Sequence, residues 1–88
     1  MDIIQVGMAG TLESCDAAVT VEPREGGIEL VIDCADKRFA GHVRAAAMLA
    51  LTEAEVSAAR VSVRDRSALD CTIRARVLAA CHRAAVSA

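Results

Sequence analysis

The chain has no tryptophan and no tyrosine, and Phe39 is its single aromatic residue. Hydrophobic letters make up 55% of it, but 19 are alanines and only 25 are Val, Ile, Leu, Met or Phe. A core built from these is thin, so stability has to lean on close alanine packing or on a partner. Lysine is nearly absent: Lys37 is the only one, and the other nine of ten bases are arginines. Arginine suits planar, two-point contacts to carboxylate or phosphate better than lysine does. With 12 acids against 10 bases the net charge is -2, which argues against a nucleic-acid binder held by bulk charge. No apolar run approaches the ~18 residues of a membrane span. Met1-Asp2-Ile3-Ile4 lacks the basic start and long apolar stretch of a secretory signal. These absences point to a cytoplasmic protein without a membrane span.

Four cysteines, Cys15, Cys34, Cys71 and Cys81, form no C-x-x-C and no Cys/His pair at zinc spacing. Without a secretion signal they read as reduced thiols. Cys34, Cys71 and Cys81 read as small core residues, while Cys15 stands among polar neighbours. No phosphate-binding glycine loop, dinucleotide fingerprint or G-x-S-x-G is present. Eighty-eight residues leave room for one core, so the expectation is a single domain over residues 1–88.

Charge is uneven. Residues 1–44 hold eight acids and four bases, while residues 45–88 hold four acids and six bases. Hydropathy alternates with period two in Ala17-Val19-Val21, in Ile28-Leu30-Ile32 and in Ala59-Val61-Val63, each the mark of a half-buried strand. Met8 to Glu13 is a shorter candidate strand, joined to the first of these by a turn at Glu13-Ser14-Cys15-Asp16. Pro23-Arg24-Glu25-Gly26-Gly27 is a second turn, and Asp65-Arg66-Ser67 a third break.

Two stretches follow a helical period instead. Phe39, Val43, Ala46, Ala47 and Ala50 share one face, with Asp36 or Asp33 as N-cap and an end between Leu51 and Glu55. Gly41 inside it would permit close packing on the sheet. Leu69, Ile73, Val77 and Cys81 define a second helix, with Ser67 and Asp70 spaced like a capping box. The polar strand positions Thr20, Glu22, Glu29, Asp33, Arg60 and Arg64 fall on one sheet face. The economical fold is therefore α+β: a two-layer sandwich of order β-β-β-α-β-α. Its sheet is mostly antiparallel, with two helices on one face.

The letters of a Ser–His–Asp triad can be drawn from Ser14, His42 and Asp16, but nothing in their spacing fixes a geometry. His42 and His82 read as surface or half-buried histidines. What stands out is a small hydroxyl at the tip of an early, polar turn. Without an adjacent base it is a poor catalyst. It is a good attachment point, since turn tips are accessible and tolerate additions.

The run AGTLESCD, Ala9 to Asp16, resembles the A-G-T-L-E-S-x-D signature of the citrate lyase acyl carrier protein, the gamma subunit of that complex. KRFAGHVR, Lys37 to Arg44, is similar to the family's K-Q-F-G-x-x-I-R region, and SALDCTIRAR, Ser67 to Arg76, to its G-A-L-D-C-x-x-R-A-R segment. The first and last are specific; the middle one is weak alone. The resemblance implies a carrier rather than a catalyst. Ser14 aligns with the serine that bears phosphoribosyl-dephospho-coenzyme A through a phosphodiester. That arm's thiol carries acetyl, exchanged to citryl by the alpha (acyl transferase) subunit. The beta (citryl lyase) subunit then cleaves citryl to oxaloacetate. A separate prosthetic-group transferase attaches the arm. In such proteins the cofactor supplies the chemistry and the tether supplies high local concentration.

Under that resemblance Glu13 and Asp16 support the turn, Asp16 through an Asx-type or N–H-accepting contact. Their charge would push the linking phosphate outward. Arg74 and Arg76 become candidates for contact with a partner subunit or with the arm's phosphates. The residue after the serine is usually Ser or Gly in the family. Cys15 departs from that, and a turn needing positive φ there strains cysteine where glycine is free. Citramalate lyase uses a very similar carrier. Malonate decarboxylase has one with a different serine turn. A non-carrier protein-docking module is the reading from a different class.

Overall fold

The computed structural model describes residues 1–85 of the chain. Strand β1 (Gly7–Ala9) is followed by β2 (Asp16–Glu22) and β3 (Ile28–Cys34). A 3-10 turn (Lys37–Phe39) leads into helix α1 (Ala40–Glu53), then β4 (Ala59–Arg66) and α2 (Asp70–Ala85). This is the expected β-β-β-α-β-α order on an α+β fold. The sheet order is β1-β2-β4-β3. β1 pairs antiparallel with β2, and β2 antiparallel with β4, so the sheet is mostly antiparallel. β3 and β4 run parallel, because α1 carries the chain back over one face between them.

Both helices cover the same face: α2 lies on β1 and β2, and α1 on β3 and against α2. The inward residues of the two central strands, Val19 and Val21, Val61 and Val63, are fully covered. Ile73, Val77 and Cys81 from α2 and Val43, Ala47 and Leu51 from α1 close over them. No aromatic side chain is in this core. It compensates by close approach: a Cβ on Gly7 would lie 2.2 Å from the Ala80 carbonyl oxygen and 2.5 Å from the Ala84 nitrogen. The alanine-rich composition thus lets α2 settle directly onto β1. The opposite face is polar, with Arg60 opposite both Glu22 and Glu29, and Arg64 opposite Asp33. Among the described residues no helix is long and apolar enough to cross a membrane.

Several local expectations need correction. β1 is three residues rather than Met8 to Glu13, and residues 10–15 form a longer loop. β4 runs through Asp65 and Arg66 instead of breaking there, since these residues pair with Ala17 and Asp16 on β2. Asp36 caps the 3-10 turn, accepting from the Arg38 amide at 3.0 Å, while Asp33 stays on the strand. Phe39 belongs to that tighter turn, which rotates it off the buried stripe, and it is 54% exposed. Leu69 precedes α2 instead of joining its buried face and is 69% exposed.

The capping box is not formed either. Ser67 has a left-handed φ of 64°, and Asp65 Oδ1 accepts the Ala68 amide at 2.9 Å. Of the three cysteines read as core, Cys81 is buried, Cys34 half-buried and Cys71 exposed; all four are free thiols. Gly41 touches nothing that a Cβ would meet, so it does not serve close packing.

Candidate functional site

The loop between β1 and β2 is held at both ends and open at its tip. It opens at Gly10, whose φ is 89° and whose absent side chain leaves room for the Ala17 carbonyl. Thr11 then reaches across the loop. Its amide and hydroxyl both donate to Asp16 Oδ2, at 3.2 and 2.7 Å. The same hydroxyl accepts the Glu13 amide at 3.2 Å. The Asp16 amide donates to the Glu13 carbonyl at 3.2 Å, which closes a tight turn over Glu13-Ser14-Cys15-Asp16. Cys15 takes the left-handed position of that turn, with φ 66°. This is the strained arrangement that the departure from Ser or Gly raised. The Cys15 amide donates to the Arg66 carbonyl at 2.7 Å, tying the turn to the end of β4.

Asp16 is the hub. Besides Thr11 it accepts the Ala17 amide on Oδ1 at 2.7 Å. Arg76, sixty residues later on α2, grips it at two points: Nε to Oδ1 at 2.9 Å and Nη2 to Oδ2 at 3.2 Å. The Arg76 guanidinium first, then the Thr11 hydroxyl and the Ala17 amide, hold the Asp16 carboxyl well below the usual carboxylate range. Arg76 is raised in return by Asp16. The pair is half-covered and multiply hydrogen-bonded, so it fixes geometry in a way an isolated surface pair does not.

Ser14, by contrast, is exposed, and among the described residues its hydroxyl makes no hydrogen bond. Glu13 is exposed beside it, and so is Leu12. Ser14 lies on an open groove of ≈ 380 Å³ shared with Leu12, Cys15, Ala35, Arg66 and Ser67. Such a tip can receive a bulky group without disturbing the bonds that define the turn. The negative charge of Asp16 is matched by Arg76, which leaves Glu13 as the bare charge next to the serine.

The other candidates separate. Arg74 faces α1, where its Nε donates to Glu53 Oε2 at 2.8 Å and its Nη2 to Glu53 Oε1. Glu53 holds Arg74 up and is itself lowered by it. The structure therefore brings Glu13, Ser14, Asp16 and Arg76 together and leaves Arg74 apart. His42 lies 4.0 Å from Asp70, not beside Ser14, so no triad forms. Sequence reasoning missed two members of the site. Thr11 sits in the signature run but was given no role. Arg66 was read as part of a break, although the alternation of β4 continues through it and marks it as an outward strand residue. Its guanidinium donates to the Asp65 carbonyl at 2.8 Å and to Asp33 at 3.4 Å.

The fold is an α+β platform on which Ser14 stands exposed at the tip of a braced turn. The acyl carrier family described as malonate decarboxylase delta subunit matches residues 5–84. The chain is 45% identical over 87 residues to the citrate lyase acyl carrier protein of Streptococcus equi subsp. equi (strain 4047), covering 97% of this chain and 85% of the relative. It is 46% identical to the protein of the same name from Streptococcus pyogenes serotype M5 (strain Manfredo), with the same coverage. The chain belongs to the citrate lyase acyl carrier protein family, and is a non-catalytic carrier.

Proposed function

We propose that this chain is the acyl carrier subunit of a citrate lyase and that Ser14 is its attachment residue. The observation that carries the reading is the unpartnered Ser14 hydroxyl on a turn whose two ends are pinned elsewhere. The attached group is phosphoribosyl-dephospho-coenzyme A, in phosphodiester linkage to the serine oxygen. When bound it supplies a thiol that holds acetyl or citryl as a thioester, in the cleavage of citrate to acetate and oxaloacetate. The chain's own part is positional. Thr11, Asp16 and Arg76 keep the turn in one shape for the prosthetic-group transferase to recognise, and Glu13 directs the linking phosphate toward solvent.

The partners on this reading are the alpha (acyl transferase) and beta (citryl lyase) subunits. Four free thiols suit a reducing cytoplasm. Citrate is favoured over malonate because the relatives above carry the citrate lyase name. Citramalate differs only at the partner subunits, since the substrate is read there.

The test is intact and peptide mass on the chain co-produced with its attachment enzymes. We expect an adduct of the phosphoribosyl-dephospho-coenzyme A type on the peptide containing Ser14, lost in Ser14→Ala. An unmodified Ser14, where a carrier of this family is modified in parallel, refutes the carrier reading and favours a protein-docking module.

A further inference from the structure

A second depression lies beside the serine groove and shares Ser67 with it. It has a volume of ≈ 200 Å³ and an apolar floor of Val43, Ala68 and Ile73, with Phe39 as a wall. Its location follows from topology. β3 and β4 are parallel neighbours, and each is followed by a helix. The depression sits at their carboxyl ends, between the starts of α1 and α2, where open α/β units hold ligands. The chain's one aromatic residue stays half exposed there although the core has no aromatic at all. A wall of that kind, next to the attachment turn, is apolar surface without a structural use.

From this we infer that the depression is a seat for the uncharged, thiol-bearing end of the arm with a short neutral acyl group on it. This rests on the attachment reading above. Size and charge choose the occupant. The volume is below the roughly 300 Å³ of pockets that hold drug-sized ligands, so only a short fragment fits. Asp36, Asp65 and Asp70 border it, and no Lys or Arg is among its lining residues. Asp36 is matched by Arg38 at 2.7 Å, and His42, which also lines the depression, stands 4.0 Å from Asp70, so among the described residues Asp65 is the bordering carboxylate with no basic partner. Asp65 is 3% exposed, and among the described residues its carboxylate accepts from the Ala68 amide and the Cys34 thiol. A neutral acetyl end is accepted beside such a group, and amide N–H groups of the arm behind the thiol have a carboxylate acceptor at hand. An acyl group that bears free carboxylates is repelled. The seat thereby shelters the acetylated form from water and releases the carboxylate-bearing form to the partner subunits.

The experiment uses the full chain in a Cys15→Ser,Cys71→Ser background, co-produced with its attachment enzymes and checked by mass for the Ser14 adduct. The arm thiol is acylated with acetic or with succinic anhydride, and unmodified chain treated identically is the control. Methyl NMR then reads Val43, Ala68 and Ile73. We expect shifts at these methyls in the acetylated form and not in the succinylated one. We also expect Phe39→Ala, a change outside the core, to raise the hydrolysis rate of the acetyl thioester severalfold while leaving the melting temperature unchanged. Shifts confined to residues 11–16, or equal for both acyl groups, overturn the seat, and so does a hydrolysis rate indifferent to Phe39. Absence of the adduct overturns the attachment reading itself, and mass separates the two failures.

Discussion

Replacing Gly10 by alanine tests how the serine turn is held. The added Cβ would lie 1.8 Å from the Ala17 carbonyl oxygen and 2.9 Å from its carbon, and both are backbone atoms of β2. Loop and strand would have to part by more than an ångström to reach ordinary contact. Gly10 also has φ 89°, where an L side chain is strained. Gly26 separates the two effects, because it shares that φ and has nothing within 4 Å of its added Cβ. Gly26→Ala should therefore cost only the left-handed strain, about 1–2 kcal/mol. Gly10→Ala should cost that and about 1–3 kcal/mol more for overpacking. At about 4–8 °C per kcal/mol for a domain of this size, its melting temperature should fall at least ~4 °C below that of Gly26→Ala.

The assay is thermal unfolding followed by far-UV circular dichroism, with amide hydrogen exchange on the same variants. If the loop yields instead of the fold, the Thr11, Cys15 and Asp16 amides lose protection, since their acceptors are Asp16 Oδ2 and the Arg66 and Glu13 carbonyls. Equal melting temperatures for the two variants, with those three amides still protected in Gly10→Ala, would refute the reasoning.

Two further outcomes follow from the same turn. The Asp16 carboxyl is depressed in the folded chain, so its contribution is complete above the usual carboxylate range and is lost as pH falls toward the lowered value. Chemical denaturation across pH should show wild type more stable than Arg76→Ala at neutral pH, with the gap closing in acid; a gap that stays constant with pH contradicts the assignment. Cys15→Gly relieves about 1–2 kcal/mol of left-handed strain and costs about 0.5–1 kcal/mol of added unfolded-state freedom. Urea unfolding should therefore show it stabilised by up to about 1.5 kcal/mol, and a clear loss of stability would mean that the Cys15 side chain makes a contribution the turn geometry does not explain.

Much of this molecule is readable along the chain. Alternation in Ala17-Val19-Val21 and in Ala59-Val61-Val63 marks strands because side chains on a pleated sheet face inward at every second residue. The four-residue steps from Ile73 through Val77 to Cys81 mark α2 for the corresponding helical reason. The A-G-T-L-E-S-x-D resemblance locates the turn and its serine. Phe39 and Leu69 misled because apolar spacing does not report where a helix begins, and a 3-10 turn or a lead-in residue breaks the stripe. Cys71 misled because a cysteine in a helix carries no periodic mark of its own.

Tertiary structure alone decided the sheet order and the partners of the turn. β4 slips between β2 and β3, which nothing local to those strands specifies, because pairing depends on which edges the crossover helix leaves free. The same step sets β4 beside β2, so that the Arg66 carbonyl meets the Cys15 amide. Packing of α2 on β1 and β2 brings Arg76 to Asp16 across sixty residues of sequence, and turns an arginine that reads as free for phosphate or partner into the clamp behind Ser14. Short-range pattern encodes which face a residue takes; which distant residue it meets there follows from how whole faces pack.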